Sequence, residues 1–366
     1  LSASTVSRMY KDCNGGTYNI YTTWTANKYK IHFDKNATDA NGSMADMDMV
    51  YDVAKNLSEN KFSREGYTFQ GWNTAKNGSG TSYDDKALVN NLTADPNGTV
   101  TLYAQWTANV YTITFLPNGG SVNPTSKTFT IESTIDLPTP TKDSYVFDGW
   151  LVTTAEGNWT NGTLYTDSSI AAGKYGNVTV TAQWHKTVTV HFYSGSKGAV
   201  HNQFQITFKN NETAGNVKSP TSFGTIDGWT ALGWTASTAA SKAVGDAAIK
   251  GGTTITVAPA KNEYVYYAVY TQSQTLKYES NASGDTSVKN IPANGTLAGA
   301  YYNSSDAKLN ITRTIPSTVP TRNGYTFKSW NTQANGSGTN YAAGARYTNS
   351  AQIDTLYAQW TENQYT

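Results

Sequence analysis

The chain has 366 residues, with 27 Lys and Arg against 26 Asp and Glu, and therefore a formal net charge of +1. This balance lacks the basic stripe of a nucleic-acid-binding protein, and we expect no nucleic-acid partner. Charged residues make up only 14% of the chain although the mean hydropathy is −0.51, so neutral polar residues supply the polarity. With 25 Tyr and 13% aromatic residues, the composition indicates a β-rich protein rather than a helical cytosolic enzyme.

Cys13 is the single cysteine of the chain, which excludes an internal disulfide. We expect its side chain to pack as a small hydrophobic group. No stretch approaches the ~18 apolar residues of a membrane-spanning helix, so we expect no membrane span in this chain. The first residues, Leu-Ser-Ala-Ser-Thr, do not resemble a signal peptide. The sequence therefore resembles a mature or trimmed part of a longer protein.

One pattern recurs along the chain with a period of about 80 to 90 residues, longer than the 20 to 50 of propellers and solenoids. The segment TLYAQW at 101–106 returns at 355–360, and related segments lie at 20–24, 180–184 and 266–270. Such a period is typical of small domains in a row. We expect the end of a preceding repeat at 1–26, repeat 1 at 27–106, repeat 2 at 107–184, repeat 3 at 185–272, repeat 4 at 273–360 and the start of a further repeat at 361–366. Repeat 3 is the most divergent.

Repeats 1, 2 and 3 open on segments in which apolar or aromatic residues alternate strictly with polar ones, at 29–33, 111–115 and 188–192. Repeat 4 opens on a looser version of this pattern around Leu276 and Tyr278. The alternation predicts a half-buried strand in which Tyr29, Ile31 and Phe33 face the core.

The next segment of repeat 1 carries Val50, Val53, Ala54 and Leu57 at helical spacing, with Asp52 available as a cap. This spacing predicts one or two helical turns.

A second strand is predicted at 66–72, GYTFQGW, and recurs at 144–150, 228–234 and 324–330. Gly71 before Trp72 predicts a β-bulge or a close backbone approach. The similar segments 73–80 and 331–338 follow, and their Asn-Gly-Ser-Gly sequence predicts a turn with positive-φ residues.

The closing strand, with Leu102, Ala104 and Trp106 on one face, completes the repeat. We therefore predict an α+β, β-rich fold, a tandem array of four small β-grasp-like domains. The aromatic and glycine positions shared by the repeats form its expected core signature. The signature residues are Tyr67, Phe69, Gly71, Trp72, Trp106, Tyr145, Phe147, Gly149, Trp150, Trp184, Gly233, Trp234, Tyr325, Phe327, Trp330 and Trp360.

The sequence contains no catalytic or metal-binding motif. The four histidines form no H-E-x-x-H or paired spacing, and phosphate-loop and nucleophile-elbow motifs are missing. The acidic pairs at 46 and 48 and at 84 and 85, and the Asp/Asn-rich segment 34–41, are expected to be solvated loops rather than acid–base or calcium sites. We expect no enzyme activity and no cofactor.

Trp159, Tyr301 and Tyr302 are aromatic residues that the repeats do not share. We expect them to cover loops, with a sugar- or partner-stacking surface as the alternative.

The opening Y-x-I-x-F segment, the G-Y-x-F-x-G-W segment and the closing T-L-Y-A-Q-W segment together resemble the Listeria–Bacteroides repeat, the B-repeat family of bacterial surface proteins. The resemblance covers about residues 27–360 and is weakest in repeat 3, which has Trp229, Ala231 and Tyr270 where the other repeats have Tyr, Phe and Trp. It implies a β-grasp-like fold and a location outside the cell, at the cell surface or cell wall. It brings no catalytic residues.

These observations predict an extracellular stalk that spaces or presents an adhesive head, or itself contacts a host or neighbouring cell. Four domains of about 30 Å would give an elongated rod of about 120 Å. Its partners would be a protein or glycan at a cell surface, or further copies of itself. The alternatives are a fibre subunit joined end to end by strand pairing, and a carbohydrate-binding or hydrolytic surface module.

Overall fold

The computed structural model describes residues 24–195 and 199–365. These residues are β-rich, and the helix found among them has five residues. They divide into two compact bodies. The first body comprises 24–117, 122–140 and 149–182, and the second comprises 118–121, 141–148, 183–195 and 199–365. Cys13 and most of the expected strand at 20–24 lie outside the described residues.

Repeat 1 lies in the first body and forms a five-stranded mixed sheet in the order β2-β1-β7-β4-β5. The central strands β1 and β7 are parallel, and β2 and β4 flank them in antiparallel pairing, while β3 and β6 form a separate ribbon. The strands are β1 Lys28–Asp34, β2 Met47–Val50, β3 Lys55–Asn56, β4 Tyr67–Asn73, β5 Ser82–Tyr83, β6 Leu88–Val89 and β7 Thr99–Ala108.

The opening strand has the predicted alternation. Tyr29, Ile31 and Phe33 are buried, and Lys30 and His32 are exposed. The prediction of a half-buried strand is therefore confirmed, and the buried side chains form one face of the repeat 1 core.

The predicted helix at 50–57 is wrong. Val50 ends β2, Val53 is 55% exposed, and β3 occupies Lys55–Asn56. Asp52 takes a left-handed conformation with φ 64°, which a helix does not allow. Asn91 holds it there, because the Asp52 N–H donates to Asn91 Oδ1 (2.6 Å) and Asn91 Nδ2 donates to Asp52 Oδ1 (2.8 Å).

The opening strand of repeat 2 pairs with its neighbours as the opening strand of repeat 1 does. In the first body β8 pairs with β9 in antiparallel fashion and with residues 178–181 of β14 in parallel fashion. The strands of this segment are β8 Tyr111–Leu116, β9 Ser126–Phe129, β10 Ile135–Asp136, β11 Val146–Ala155, β12 Leu164–Tyr165, β13 Ser169–Ile170 and β14 Val178–Tyr193.

The second body contains the following elements: β15 Val200–Lys209, β16 Gly215–Lys218, β17 Thr230–Thr235, α1 Lys242–Asp246, β18 Thr254–Val257, β19 Glu263–Glu279, β20 Gly295–Asn303, β21 Ala307–Leu309, β22 Thr312–Thr314, β23 Tyr325–Asn331, β24 Asn340–Tyr341, β25 Arg346–Thr348 and β26 Ile353–Glu362. In repeat 3, β14 pairs with β15 and lies parallel to β19, which also pairs with β17. In repeat 4, β19 pairs with β20 and lies parallel to β26, which pairs with β23. The repeats therefore share one strand arrangement.

Candidate functional site: the tryptophan cores and the repeat junctions

The tryptophans of the second signature strand are the largest buried side chains. Trp72, Trp150, Trp234 and Trp330 are each at most 1% exposed. The Trp150 indole N–H donates to the carbonyl of Pro138 (2.9 Å), and the Trp234 indole donates in the same way to Pro220. These tryptophans are structural anchors, because no ring face remains open to a ligand.

The closing-strand tryptophans are buried to different extents. Trp184 is 1% exposed, and its ring centroid lies 5.4 Å from that of Phe147. Trp106 and Trp360 are half-buried, and their indole N–H groups donate to main-chain carbonyls at 2.9 and 2.8 Å. Phe69 lies between Trp72 and Trp106, with centroid distances of 5.0 and 5.6 Å, so one phenylalanine links the two tryptophans. Phe327 does the same in repeat 4.

The tyrosines of the signature are half-buried, and each lies under a cationic side chain. Arg64 is 3.5 Å from the ring centroid of Tyr67, and Arg322 is 3.8 Å from that of Tyr325. Lys142 occupies the same place over Tyr145, at 4.4 Å. This contact was not predicted, although the sequence of repeats 1, 2 and 4 has a basic residue three positions before the tyrosine.

Each of these arginines is also ion-paired. Arg64 Nε donates to Asp39 (2.9 Å), and Arg322 Nε donates to Asp285 (2.8 Å). The Ser287 hydroxyl, Arg322 and the Ser287 backbone N–H together lower the pKa of Asp285 to about 2.

We expect Asp285→Asn to make the free energy of unfolding depend less on pH at acidic pH. A carboxyl whose pKa is depressed in the folded state stabilises the fold above its unfolded pKa. That stabilisation is lost as the pH falls from about 4 towards 2. Urea unfolding of the wild type and the variant between these pH values measures the difference. If the free energy of unfolding changed equally with pH in the two proteins, Asp285 would not be the group that titrates.

The predicted bulge before the core tryptophan is confirmed. The register shifts between Phe69 and Gly71, and Gly71 has φ 136°. A Cβ atom at Gly71 would lie 2.7 Å from the carbonyl oxygen of Tyr83, and Gly149 and Gly233 face similar obstacles. In repeat 4 the position is Ser329, whose hydroxyl donates to Asn340 Oδ1 (2.9 Å).

We therefore expect Gly71→Ser to destabilise repeat 1 by about 1–3 kcal/mol, because backbone strain and a backbone overlap are both introduced. The matched change in repeat 4, Ser329→Gly, should cost less than about 1 kcal/mol. Thermal unfolding followed by circular dichroism measures both. Equal losses in the two variants would contradict the steric explanation.

The turn after the core tryptophan depends on a buried asparagine. Asn73 is 1% exposed; its Oδ1 accepts from the N–H groups of Ala75 and Gly80, and its Nδ2 donates to Gly78, Gly80 and Ser82. Gly78 has φ 75°, as the sequence predicted. Asn331 makes the corresponding contacts in repeat 4.

The junction between repeats 1 and 2 contains a hydrogen-bonded connection. The Asn109 backbone N–H donates to the carbonyl of Gly66 (2.9 Å), and the Thr68 hydroxyl donates to Asn109 Oδ1 (2.6 Å). Asn363 makes the same two contacts at the end of repeat 4. The residue after the closing strand is thus fixed to the start of the second signature strand.

Two tyrosine–glutamate hydrogen bonds also connect repeats 1 and 2. The Tyr67 hydroxyl donates to Glu132 (2.8 Å), and the Tyr175 hydroxyl donates to Glu65 (2.8 Å). Burial and the Glu132 hydrogen bond raise the pKa of Tyr67, and the Glu65 hydrogen bond raises the pKa of Tyr175. Both phenols therefore remain protonated donors at neutral pH. The tyrosine of the signature thus acts at the repeat junction as well as in the fold of its own repeat.

Repeats 3 and 4 share a strand. Residues 263–267 of β19 pair in parallel with β14 in repeat 3, and residues 275–279 pair in parallel with β26 in repeat 4. The closing strand of one repeat therefore continues into the opening strand of the next without a linker.

A hairpin of repeat 4 extends back over repeat 3. Residues 300–303 of β20 pair with residues 269–272 of β19, and β21 pairs with β20 at 301–303. The tip is buried: Tyr301, Tyr302, Asn303 and Ser304 are between 0 and 7% exposed.

Tyr302 belongs to the hydrophobic core of repeat 3. Its ring centroid is 6.1 Å from that of Tyr270 and 5.9 Å from that of Trp229, and Ala231 packs against the same cluster. These three residues are the departures of repeat 3 from the shared signature. The tyrosine from repeat 4 therefore adds an aromatic ring to a core in which repeat 3 has Ala231 where the other repeats have phenylalanine.

Polar contacts hold the same hairpin. Asn303 Nδ2 donates to the carbonyls of Ser237 (2.7 Å) and Ala239 (3.0 Å), and the Ser304 hydroxyl donates to the carbonyl of Gly195 (3.1 Å). All three acceptors belong to repeat 3. Because these groups are buried, the contacts fix the position of the hairpin.

The aromatic residues outside the signature are buried rather than displayed. Trp159 is 6% exposed, packs against Phe129 and Tyr165, and donates its indole N–H to Gly176 (3.0 Å). With Tyr301 and Tyr302 also buried, the loop-covering interpretation fits better than the stacking surface.

The histidines and acidic groups singled out in the sequence do not converge. The histidine contacts are His32–Asp46 (2.8 Å), His185–Asp148 (2.5 Å), His191–Glu263 (3.1 Å) and His201–Ser222 (3.3 Å). Asp48 pairs with Lys30 (2.8 Å) on an exposed surface, and Asp85 accepts from the Asn60 N–H (3.0 Å). Across residues 24–195 and 199–365, no group of three or more His, Cys, Asp or Glu is placed to hold a metal ion.

The Asp/Asn-rich segment 34–41, which was predicted to be a solvated loop rather than a calcium site, is engaged in other contacts. Asp34 accepts from the N–H of Asn36 (2.7 Å), and Asp39 pairs with Arg64. A surface hollow of about 390 Å³ lies nearby, next to Asp46, Asp48 and Lys55. Its mixed charges do not form a set of ligands for one ion.

In the described part of the chain, no helix has the length and apolar character required to cross a membrane.

Comparisons with known proteins agree with the repeated geometry. The family model of the Listeria–Bacteroides repeat domain matches residues 29–105, 111–183 and 275–359. Similar proteins include internalin H of Listeria monocytogenes, 40% identical over 129 residues, which cover 34% of this chain and 20% of that protein. A protein of Evansella cellulosilytica named as a Gly-rich membrane protein is 37% identical over 133 residues, which cover 36% of this chain and 15% of that protein.

A second Evansella cellulosilytica protein, named as a membrane protein, is 24% identical over 372 residues, which cover 94% of this chain and 45% of that protein. The chain therefore spans less than half the length of each of these relatives. The three matched segments of the family model together cover more than half of the chain. This chain belongs to the Listeria–Bacteroides repeat domain family.

Proposed function

We propose that this chain is a non-enzymatic spacer outside a bacterial cell, a tandem array of four β-grasp-like domains that holds or presents an adhesive part of a larger surface protein. Membership of the repeat family supports this proposal, as does the similarity to an internalin and to two proteins named as membrane proteins. The role requires no catalytic group and no cofactor.

The observation that carries the proposal is the continuity of β19 through repeats 3 and 4. A spacer transmits force and maintains a fixed distance only when neighbouring domains keep their orientation. The shared strand leaves no flexible linker at the junction of repeats 3 and 4. The tyrosine–glutamate pairs between repeats 1 and 2 restrain that junction in another way.

The mixed sheet of repeat 1 supports the β-grasp-like assignment. Its first and last long strands are parallel neighbours at the centre, with antiparallel strands outside them. This arrangement returns in repeat 4 with β19 and β26 at the centre. A crossover loop and a two-stranded ribbon, β3 with β6, take the place of the expected helix in repeat 1.

Small-angle X-ray scattering of the full chain at low concentration tests the spacer. Four domains in line predict a radius of gyration of about 35 Å, against about 21 Å for a compact chain of this length. A value near the lower figure would refute the spacer, as would a profile that requires freely moving domains. Growth of the scattering mass without limit as concentration rises would instead favour the end-to-end fibre.

A further inference from the structure

The second strand of repeat 3 differs from its counterparts in length and in exposure. β15 has ten residues, whereas β2 and β9 have four each. Within the described residues, β15 pairs with β14 along one edge and with no strand along the other. In repeat 4 the corresponding strand, β20, has its last three residues covered by β21. Repeat 3 therefore presents a long open sheet edge.

Backbone donors point outward along this edge. The Gln203 N–H donates to the side chain of Asn202 (2.8 Å), and the Lys209 N–H donates to the side chain of Glu212 (2.8 Å), so neither points to β14. N–H directions repeat every second residue in a strand. The N–H groups of Gln205 and Thr207 therefore also face the open edge.

Apart from Asn202, whose side chain accepts the Gln203 N–H, the side chains of β15 leave this edge open. Gln203, Gln205 and Thr207 are exposed, and Phe204 and Ile206 are only partly buried against the repeat 3 core. Val200 at the start of the strand is 53% exposed. No acidic residue occurs in 200–209, and Lys209 stands at the end. Exposed edges usually carry charges, prolines or bulges that block pairing, and most of β15 has none of these.

We propose that β15 pairs in antiparallel fashion with β15 of a second copy of the chain, about a two-fold axis at Phe204. The outward donors on odd-numbered residues require that odd residues pair with odd residues, which places the axis on a residue. An axis at Phe204 puts Gln203 opposite Gln205 of the second copy and Phe204 opposite its own equivalent. An axis at Gln205 would instead put His201 opposite Lys209.

The charges of β15 are compatible with pairing between two copies of the strand. The span 200–208 contains no acidic or basic side chain other than His201, so self-pairing brings no like charges together. The added strand also covers the exposed sides of Phe204 and Ile206. Because the contact is two-fold, it closes at a dimer. This inference goes beyond the spacer role and does not depend on it.

Sedimentation velocity of the full chain, from low-micromolar to near-millimolar concentration, tests the dimer with two charge variants. In Q203K/Q205K, Lys faces Lys on both sides of the axis, and dimerisation should weaken by roughly tenfold or more. In Q203K/Q205E each Lys faces a Glu, and dimerisation should return to the wild-type level or above. Both positions are exposed, so matching melting curves verify the fold.

A backbone variant gives an independent test. Gln205→Pro removes an outward N–H without removing a bond to β14, a position that edge strands tolerate. It should abolish the dimer, whereas Gln205→Ala should keep it. The proposal is overturned if the wild type stays monomeric throughout the series. Dimerisation of Q203K/Q205K at the wild-type level, or an open-ended series of larger species, would also overturn it.

Discussion

Trp72→Ala is expected to remove a large part of the stability of repeat 1. Trp72 is fully buried, and its ring centroid lies 4.8 Å from that of Phe33 and 5.0 Å from that of Phe69. Removing such a ring costs about 3–5 kcal/mol, because the cavity cannot close completely. A domain of this size has a total stability of about 4–12 kcal/mol, so much of it is lost. Hydrogen exchange of peptides from β1 and β7, read by mass spectrometry, measures the opening of the repeat.

The chain offers a matched control for this change. Trp24 is 88% exposed, so Trp24→Ala removes the same side chain without creating a cavity and should leave exchange in β1 unchanged. Peptides from β23 and β26 in repeat 4 should also keep their wild-type rates in Trp72→Ala. Wild-type protection of β1 in Trp72→Ala would show that the tryptophan is not the anchor of its repeat.

The sequence was most informative where structure depends on neighbours along the chain. The alternation of Tyr29, Ile31 and Phe33 predicted a half-buried strand, and the glycine before Trp72 predicted a bulge. Both features follow from local rules, namely the two-residue period of a strand and the positive φ that glycine allows. The glycine recurs before the core tryptophan of repeats 1, 2 and 3, and the alternation recurs at the start of these repeats, which makes both signals easy to recognise.

The sequence was least informative where a distant residue decides the conformation. The spacing of Val50, Val53 and Leu57 suits a helix, yet Asn91 holds Asp52 in a left-handed conformation from 39 positions away. Periodicity describes which side chains could share a face, and it contains no information about that contact. The cationic residue over the signature tyrosine was visible as a spacing, but only the fold shows that Arg64 and Tyr67 meet.

The repeat 3 core shows the same limit more strongly. The substitutions at Trp229, Ala231 and Tyr270 marked repeat 3 as divergent, and they gave no indication of what fills the space. One residue that joins this core is Tyr302, which comes from the following repeat through a strand pairing between β20 and β19. Repeat 3 therefore shares part of its core with repeat 4, and the two are expected to unfold as one unit.

Tyr302→Ala is accordingly expected to destabilise repeat 3, although the residue belongs to repeat 4. The side chain is 6% exposed, and its loss leaves a cavity between Trp229 and Tyr270, at a cost of about 3 kcal/mol or more. Hydrogen exchange should rise in β17 and in the first half of β19. Denaturant unfolding should shift to a lower midpoint for repeats 3 and 4 together, because β19 is common to both.

Tyr365→Ala is the matched control, since Tyr365 is 82% exposed and its removal creates no cavity. If Tyr302→Ala raised exchange only in β20 and β21 and left β17 protected, the hairpin would be a covering of repeat 3 and not part of its core. Increased exchange in β17 would instead show that the aromatic ring supplied by repeat 4 stabilises repeat 3. A domain that depends on its neighbour in this way cannot rotate freely against it. Restricted rotation between neighbouring domains is the property that the proposed spacer requires.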